Sequence, residues 1–196
     1  MEKIMLRRCR IGNRKTKSLF RNGKINIKAA GDRDYESWLE GFRHTLPQQH
    51  KHDSPKMDLN GWTQEKFNEA VKRHEQLATQ DEGYILSVFR KSDSKHIGMV
   101  GFWTLMRREF QWGFLEYRIH NQYWKNGYGK ESVNEGVKFA FNNLHFHRIE
   151  AHINLDNTPS IRLAERVGFT YECTRKKFIY ESDEWADNLI YYMNSK

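Results

Sequence analysis

The chain has 196 residues, enough for one domain with a substantial core and too few for two comfortable ones. Apolar residues make up 38% of it, no stretch approaches the apolar length needed to cross a bilayer, and the basic N-terminus has no apolar signal region. These features argue against a membrane-spanning or secreted protein. The two cysteines, Cys9 and Cys173, fit neither a disulfide framework nor a metal-binding spacing, which favours a reducing cytoplasm.

The net charge of +8 is concentrated at the N-terminus. Residues 1–28 contain ten Lys or Arg and one acid, so the rest of the chain is close to neutral. We predict a basic arm over residues 1–20 and a single domain over residues 21–196. The arm is suited to contact with RNA, a ribosome or an acidic protein. A solvated leader is an equal alternative, because the arm has no aromatic interleaving and no RNA-binding motif.

The first part of the domain reads as one strand followed by two helices. Alternating apolar and polar residues over Ile25–Ala29 predict a strand with one buried face. Asp32 is expected to cap a helix that runs to about Phe42, and Thr63 to open a longer one with an apolar stripe. The polar segment between them contains proline and glycine and is predicted to be a loop.

Three strand-like runs follow at short spacing: YILSVFR, IGMVGFWTLMR and WGFLEYRIH. A glycine loop, WKNGYG, then leads into a segment with helical periodicity. After it come the strand-like HRIEAHINL, the short helix PSIRLAERVGF, and two last strand-like runs, TYECTRKKFIY and WADNLIYYM. The order β, α, α, β, β, β, α, β, α, β, β predicts one α+β sheet domain.

The glycine loop is the first candidate binding element. Gly127 and Gly129 lie between a strand and a helix, where glycine lets the backbone approach a ligand closely. The first turn of the helix leaves its N–H groups unpaired, so loop and helix together form a cradle for a phosphate or pyrophosphate. Glycines before a helix also serve purely conformational roles, so the pair alone does not define a phosphate site.

Three segments in this order, YWKNGYGKES, HRIEAHINLDNTPSIRLAERVGF and EWADNLIYYM, carry a resemblance to a known family. Together they resemble the GCN5-related N-acetyltransferase (GNAT) superfamily, and more closely its RimJ/RimL branch of ribosomal-protein N-terminal acetyltransferases. The resemblance implies a GNAT fold, with a central mixed, mostly antiparallel twisted sheet of about seven strands flanked by about four helices. It implies acetyl-CoA as co-substrate and no metal.

The resemblance also implies the cofactor site. The strand that carries Glu116 splays from the next strand, and its backbone pairs with the pantetheine arm, while the loop N–H groups hold the pyrophosphate. The NxxS element DNTPS contributes a contact to the pantetheine and a hydroxyl near the sulfur. The implied cofactor-binding residues are Tyr117, Arg118, Ile119, Trp124, Lys125, Asn126, Gly127, Tyr128, Gly129, Lys130, Asn157 and Ser160.

Glu116 and Ser160 are the predicted catalytic residues. Glu116 stands in the otherwise apolar FLEYRI, where burial would raise the pKa of a carboxylic acid toward that of a useful base. The branch often has its acid two positions earlier, where this chain has Phe114; both positions point to one face of a strand. The alternative is that Glu116 faces solvent or pairs with an arginine such as Arg118. Ser160, by the resemblance, is the general acid, or an ordinary serine of a helix start.

Three further groups of residues are candidates for a role in catalysis, metal binding or acceptor binding. The reserve acids are Tyr171 and Tyr180. The cluster His145, His147, Glu150 and His152 could suggest a metal, but it lacks a tetrahedral ligand pattern, so no metal is predicted. The aromatic group Trp103, Trp112 and Phe114 could shape an acceptor pocket, although the burial habits of such residues favour a place in the core.

The predicted function is therefore acetyl-CoA-dependent transfer of an acetyl group to a primary amine, with a protein N-terminal α-amine as the favoured acceptor. The alternatives are a small amine such as a polyamine, an aminoglycoside or an amino acid, and a non-catalytic CoA-binding or RNA-associated module. We expect a monomer or homodimer with no membrane contact.

Overall fold

A computed structural model describes residues 23–196, and the predicted arm over residues 1–20 lies outside the described residues. The described residues form seven strands: β1 (Ile25–Lys28), β2 (Gly83–Arg90), β3 (His96–Met106), β4 (Trp112–Ile119), β5 (Arg148–Asn154), β6 (Thr170–Glu181) and β7 (Glu184–Asn194). They also form four α-helices: α1 (Tyr35–Arg43), α2 (Gln64–Gln80), α3 (Tyr128–Asn142) and α4 (Thr158–Val167). None of these helices is long and apolar enough to cross a membrane.

The strands form one mixed sheet in the order β1-β2-β3-β4-β5-β7-β6. Every neighbouring pair is antiparallel except β4 and β5, which are parallel and are connected through α3. The sheet and its four helices confirm the predicted α+β architecture of the GNAT type.

Helix α3 lies directly on one face of the sheet. A Cβ atom on Gly136 would come within 2.7 Å of the Val100 side chain and 3.2 Å of the Phe102 ring, so only glycine admits this close approach. The main core fills this interface with Val100, Phe102, Leu115, Val133, Val137 and Ala140. Residues alternate between the faces of a strand. Phe114 and Glu116 therefore lie on the opposite face, which we call the outer face.

The predicted ends of the elements are confirmed with small shifts. The expectation that Asp32 is the cap is wrong: Asp32 begins a 3-10 turn, and the carboxylate that accepts the Gly31 N–H at 2.9 Å belongs to Asp34. The Thr63 hydroxyl caps α2 by accepting the N–H of Lys66. The turn before α1 could not be located from periodicity, because a 3-10 turn and the first turn of an α-helix carry the same residue types.

Candidate active site

β4 and β5 separate after a short parallel ladder. The ladder runs only from the pair Trp112 and Arg148 to the pair Phe114 and Glu150, whereas β4 continues to Ile119. Beyond the ladder, each strand has backbone groups that the other does not reach. We call this opening, bounded by residues 115–119 and 151–154, the cleft. Such an opening in a sheet can accept an extended molecule that carries amide groups.

The glycine loop lies where the chain leaves β4 and enters α3. None of the backbone N–H groups of residues 125–130 donates to another described residue, and the first helical hydrogen bond is that from Glu131 N–H to Gly127 C=O. Residues 125–127 are exposed. The loop thus presents a row of free N–H groups at the positive end of a helix, which suits a pyrophosphate.

Two loop residues adopt left-handed backbone conformations. Gly127, the N-cap of α3, has φ of +82°, and Lys125 has φ of +63°. Left-handed residues turn successive N–H groups toward a common side and so build a concave anion site. A lysine in this conformation is strained, and strain of this kind concentrates at binding sites. The glycines alone did not reveal Lys125 as part of the turn.

The DNTPS segment begins α4 beside the cleft. Asn157 is the N-cap, and its side-chain oxygen accepts the Ser160 N–H at 3.3 Å. The Tyr117 hydroxyl of β4 is buried and has no hydrogen bond of normal geometry among the described residues. Burial raises the pKa of Tyr117, and the nearby Ser160 hydroxyl opposes that change. The structure therefore brings Tyr117, Asn157 and Ser160 together at the α4 side of the cleft.

Glu116 lies on the outer face beside the cleft, but the expectation that it is buried is wrong. Its side chain is exposed and accepts a hydrogen bond from Trp103 Nε1 at 3.0 Å. Burial was inferred from the apolar residues around it, yet those at alternate positions face α3 while Glu116 faces outward. The solvent-facing alternative is the one observed, and its partner is a tryptophan rather than Arg118.

A row of rings crosses the outer face. Phe114 stacks between Trp103, at 6.5 Å between ring centroids, and His152, at 5.5 Å. Phe178 of β6 meets the His152 ring edge-on at 5.2 Å. Trp103, Trp112 and Phe114 are only partly buried, so the expectation that they belong to the core is wrong. Trp103 and Phe114 form part of the outer face at the last pair of the ladder, where the cleft begins.

Glu150 is the most buried carboxylate of the site and was considered at first only as a possible metal ligand. It is 1% exposed, and accepts hydrogen bonds from Arg148 Nε and His152 Nε2, both at 2.9 Å, while Arg175 lies 3.6 Å away. Burial pushes the pKa of Glu150 upward, but His152, Arg148 and Arg175 outweigh it and hold the pKa below its ordinary value. Glu150 is therefore ionised. The alternation of polar residues along RIEAH was the available signal.

The remaining candidates lie apart from the cleft. Tyr171 and Tyr180 are exposed on β6, which β7 separates from β5; Tyr171 bonds to Thr174, and Tyr180 packs edge-on against Trp185. Among residues 23–196 there is no group of three or more His, Cys, Asp or Glu side chains placed to hold a metal ion.

The loop between α1 and α2 bridges the two sides of the cleft, an arrangement that the sequence alone does not predict. Asn121, 6% exposed, exchanges hydrogen bonds with the backbone of Leu46 and donates to Asp53 at 2.9 Å. On the other side, His52 Nε2 lies 2.6 Å from the carboxylate of Asp156, the residue before Asn157. The loop therefore contacts both the segment before α3 and the segment before α4. We call this bridging segment, residues 46–53, the strap.

A cavity of about 340 Å³ lies between the end of β4 and this loop. It is lined by Phe42, Thr45, Asp53, Ser54, Pro55, Lys56, Met57, Arg118, Ile119, His120 and Asn121. Burial lowers the pKa of His120 to about 4, so this wall of the cavity carries a neutral imidazole. Its lining includes Arg118 and Ile119, the last residues of β4 along the cleft. The cavity is large enough for part of a ligand.

The family of the chain follows from a direct comparison. The model of the Acetyltransferase (GNAT) domain family matches residues 25–170, which include the cleft, the glycine loop and the DNTPS segment. The chain belongs to this family and is an N-acetyltransferase.

Relatives and solved structures agree with this assignment. YjcK of Bacillus subtilis, described as a probable N-acetyltransferase, is 29% identical over 66% of this chain and 71% of its own length. AaaT, an L-amino acid N-acetyltransferase of Escherichia coli, is 35% identical over 36% of this chain and 43% of its own. The fold matches a ribosomal-protein-S5-alanine acetyltransferase from Vibrio fischeri, with a TM-score of 0.70, 21% identity and coverage of 89% and 95%. It also matches Mycobacterium smegmatis RimJ in complex with a CoA-disulfide, with a TM-score of 0.70, 17% identity and coverage of 87% and 82%.

Proposed function

We propose that the protein transfers the acetyl group of acetyl-CoA to a primary amine, with a protein N-terminal α-amine as the favoured acceptor. One observation carries the proposal: the N–H groups of residues 125–130 have no partner among the described residues, residues 125–127 are exposed, and the loop follows a strand whose backbone is unpaired along the cleft. A phosphate-binding turn and an open strand edge, joined in one segment, match the pyrophosphate and the amide-containing arm of coenzyme A.

The predicted cofactor residues would divide the work by position. The backbone of Tyr117, Arg118 and Ile119 would pair with the pantetheine amides along the cleft, and residues 124–130 would hold the pyrophosphate. The side-chain oxygen of Asn157 caps α4 by accepting the Ser160 N–H, so its amide nitrogen is left to bind the pantetheine. Acetyl-CoA supplies an activated thioester; a backbone N–H of β4 would stabilise negative charge on its carbonyl oxygen.

Proton transfer sets the remaining requirements. An α-amine has an unperturbed pKa of about 8 and a lysine amine about 10.4, so the α-amine needs less help to become neutral near pH 7. Glu116 stays a predicted base, since it is exposed at the edge of the cleft, and Ser160 stays the predicted acid for the leaving sulfur. The Tyr117 hydroxyl beside Ser160 is a second polar group on that side.

The choice of acceptor is supported by the solved structure from Vibrio fischeri, which is named for a ribosomal protein. A small acceptor is the second candidate, because AaaT is named for L-amino acids and shares its 35% identity over a 71-residue segment. The basic arm would place the enzyme near a ribosome or RNA, and a cytoplasmic location is part of the same proposal.

A thiol-release assay tests the proposal. Purified protein is incubated with acetyl-CoA and, in turn, with peptides that begin with Ala or Ser, the same peptides with blocked N-termini, free amino acids and spermidine. Release of coenzyme A only with the unblocked peptides supports the α-amine acceptor; release only with amino acids or spermidine supports the second candidate. No heat of binding for coenzyme A in calorimetry would refute the proposal altogether.

Deletion of residues 1–20 separates catalysis from docking. If the arm is a docking device, acetylation of peptides persists and co-sedimentation with ribosomes is lost. If peptide acetylation is lost as well, the arm belongs to the catalytic unit.

A further inference from the structure

On the outer face, β5 places a histidine against a buried carboxylate at the edge of the cleft. His152 Nε2 contacts the ionised Glu150 at 2.9 Å. A carboxylate only accepts hydrogen bonds, so this contact puts the proton of a neutral imidazole on Nε2. The lone pair is then on Nδ1, which has no hydrogen-bond partner among residues 23–196. The structure thus holds His152 in the tautomer that can accept a proton.

The position of the ring follows from the sheet. Glu150 is the last β5 residue that pairs with β4, and His152 comes two residues later on the same face, where the cleft begins. Phe114 stacks on the ring with an interplanar angle of 14°, and Phe178 packs against it at 75°. The side chain retains 9% of its exposure. The imidazole is therefore fixed in orientation, lies where the cleft begins and keeps a small exposed surface.

We infer that His152 accepts the proton that the attacking amine loses, and that Glu150 is the positioning residue that keeps Nδ1 free to take it. The inference rests on the proposed acetyl transfer. The amine nitrogen forms a bond to the acetyl carbon, the carbon–sulfur bond of the thioester breaks, and its electron pair leaves with the sulfur. One proton passes from the nitrogen to His152 Nδ1, which then releases it to water. Another passes to the thiolate from Ser160, the predicted acid, which regains it from water.

The charged groups that face His152 come from three strands. Glu150 lies on its own strand with Arg148 behind it, Arg175 reaches over from β6, and Glu116 stands on β4 two residues beyond Phe114. Arg148 also pairs with Glu172 at 2.6 Å, so the cations around Glu150 are themselves compensated. Glu116 is the rival proton acceptor, because it lies on the same face across the cleft.

The test compares His152→Gln with His147→Gln in the thiol-release assay from pH 6 to pH 9.5, with the best acceptor of the panel. Gln keeps the donor to Glu150 and a similar volume but cannot take up a proton. His147 is a matched control, because it is exposed, bonds to Ser195 and lies outside the cleft. Calorimetric titration of coenzyme A into each variant confirms a folded cofactor site.

We expect His152→Gln to lower kcat near pH 7 by about 100-fold or more, as for loss of a general base, while the affinity for coenzyme A and the KM for acetyl-CoA stay unchanged. Its rate should lose the acid-side inflection of the wild type and recover as the pH approaches about 8, where an α-amine deprotonates by itself. Glu150→Asp, which keeps the charge, should move that inflection and lower kcat less. His147→Gln should match the wild type.

Two results would overturn the inference: wild-type kcat and inflection in His152→Gln, or loss of the inflection in Glu116→Gln while His152→Gln retains it. An unchanged inflection in Glu150→Asp, with only a lower melting temperature, would reduce Glu150 to a structural role and refute its positioning role. Wild-type protein that binds no coenzyme A and releases no thiol would refute the proposed function itself, which distinguishes that failure from the failure of His152 as base.

Discussion

Substitution of Gly127 by alanine tests the anion cradle most directly. Gly127 has φ of +82°, and forcing a residue with a Cβ into a left-handed conformation costs about 1–2 kcal/mol. For a domain of this size, that cost lowers the melting temperature by about 2–8 °C. If the loop relaxes instead, its N–H groups turn away, and each charge-assisted hydrogen bond lost costs about 1.5–3 kcal/mol, or about tenfold or more in affinity. Calorimetry with coenzyme A and thermal denaturation measure the two effects.

Gly129→Ala is the matched control. Gly129 is not in a left-handed conformation, and a Cβ there would meet Leu163 at 3.4 Å and Ile119 at 3.9 Å, which are ordinary contacts. Alanine keeps the backbone N–H that would bind the anion and is also the better helix residue, so stability should hold or rise while coenzyme A affinity stays near that of the wild type. Wild-type affinity and an unchanged melting temperature in Gly127→Ala would show that this turn neither holds the anion nor needs its left-handed glycine.

Three further perturbations follow. If Glu116 rather than His152 is the base, Glu116→Gln should lower turnover and leave coenzyme A affinity nearly intact; equal rates at every pH would remove Glu116 from the mechanism. Glu150→Gln should cost about 3–5 kcal/mol in urea denaturation at neutral pH, because it breaks a buried ion pair. The folded-state pKa of Glu150 is lowered, so its stabilisation is complete above the unfolded pKa of about 4.3 and is lost as pH falls through the folded pKa. The difference between wild type and variant should therefore shrink in acid; a constant difference contradicts the assignment. Asn121→Ala removes several hydrogen bonds, each worth about 1 kcal/mol, and should speed hydrogen exchange in the strap; unchanged exchange would mean that other contacts hold it.

The order of helices and strands was predictable because periodicity is a local property. The caps at Thr63 and Gly168 were also readable, since each depends on one residue type at one position. Residue alternation correctly placed Phe114 and Glu116 on one face. It could not say which face α3 covers, because that depends on packing between segments far apart in sequence, and the burial of Glu116 was misjudged for this reason.

The candidate site also has parts that the sequence predicts and parts that it does not. The glycine loop and DNTPS are contiguous, so their part of the cleft could be found from sequence. The strap could not: Asn121 meets Leu46 across 75 positions, and His52 meets Asp156 across 104. The arrangement around Glu150 was hidden for a related reason, because Arg175 lies on β6, which β7 separates from β5 in the sheet.

The shortness of the ladder between β4 and β5 has a mechanical consequence. The sheet has two parts, β1 to β4 and β5 to β7, and only three residue pairs of the β4–β5 ladder join them edge to edge. Gly113 lies in the middle pair of this ladder, where a Cβ would come within 2.8 Å of both the Phe146 ring and the Trp103 carbonyl. A larger residue at Gly113 would push against both groups and so would strain the one ladder that joins the two parts of the sheet.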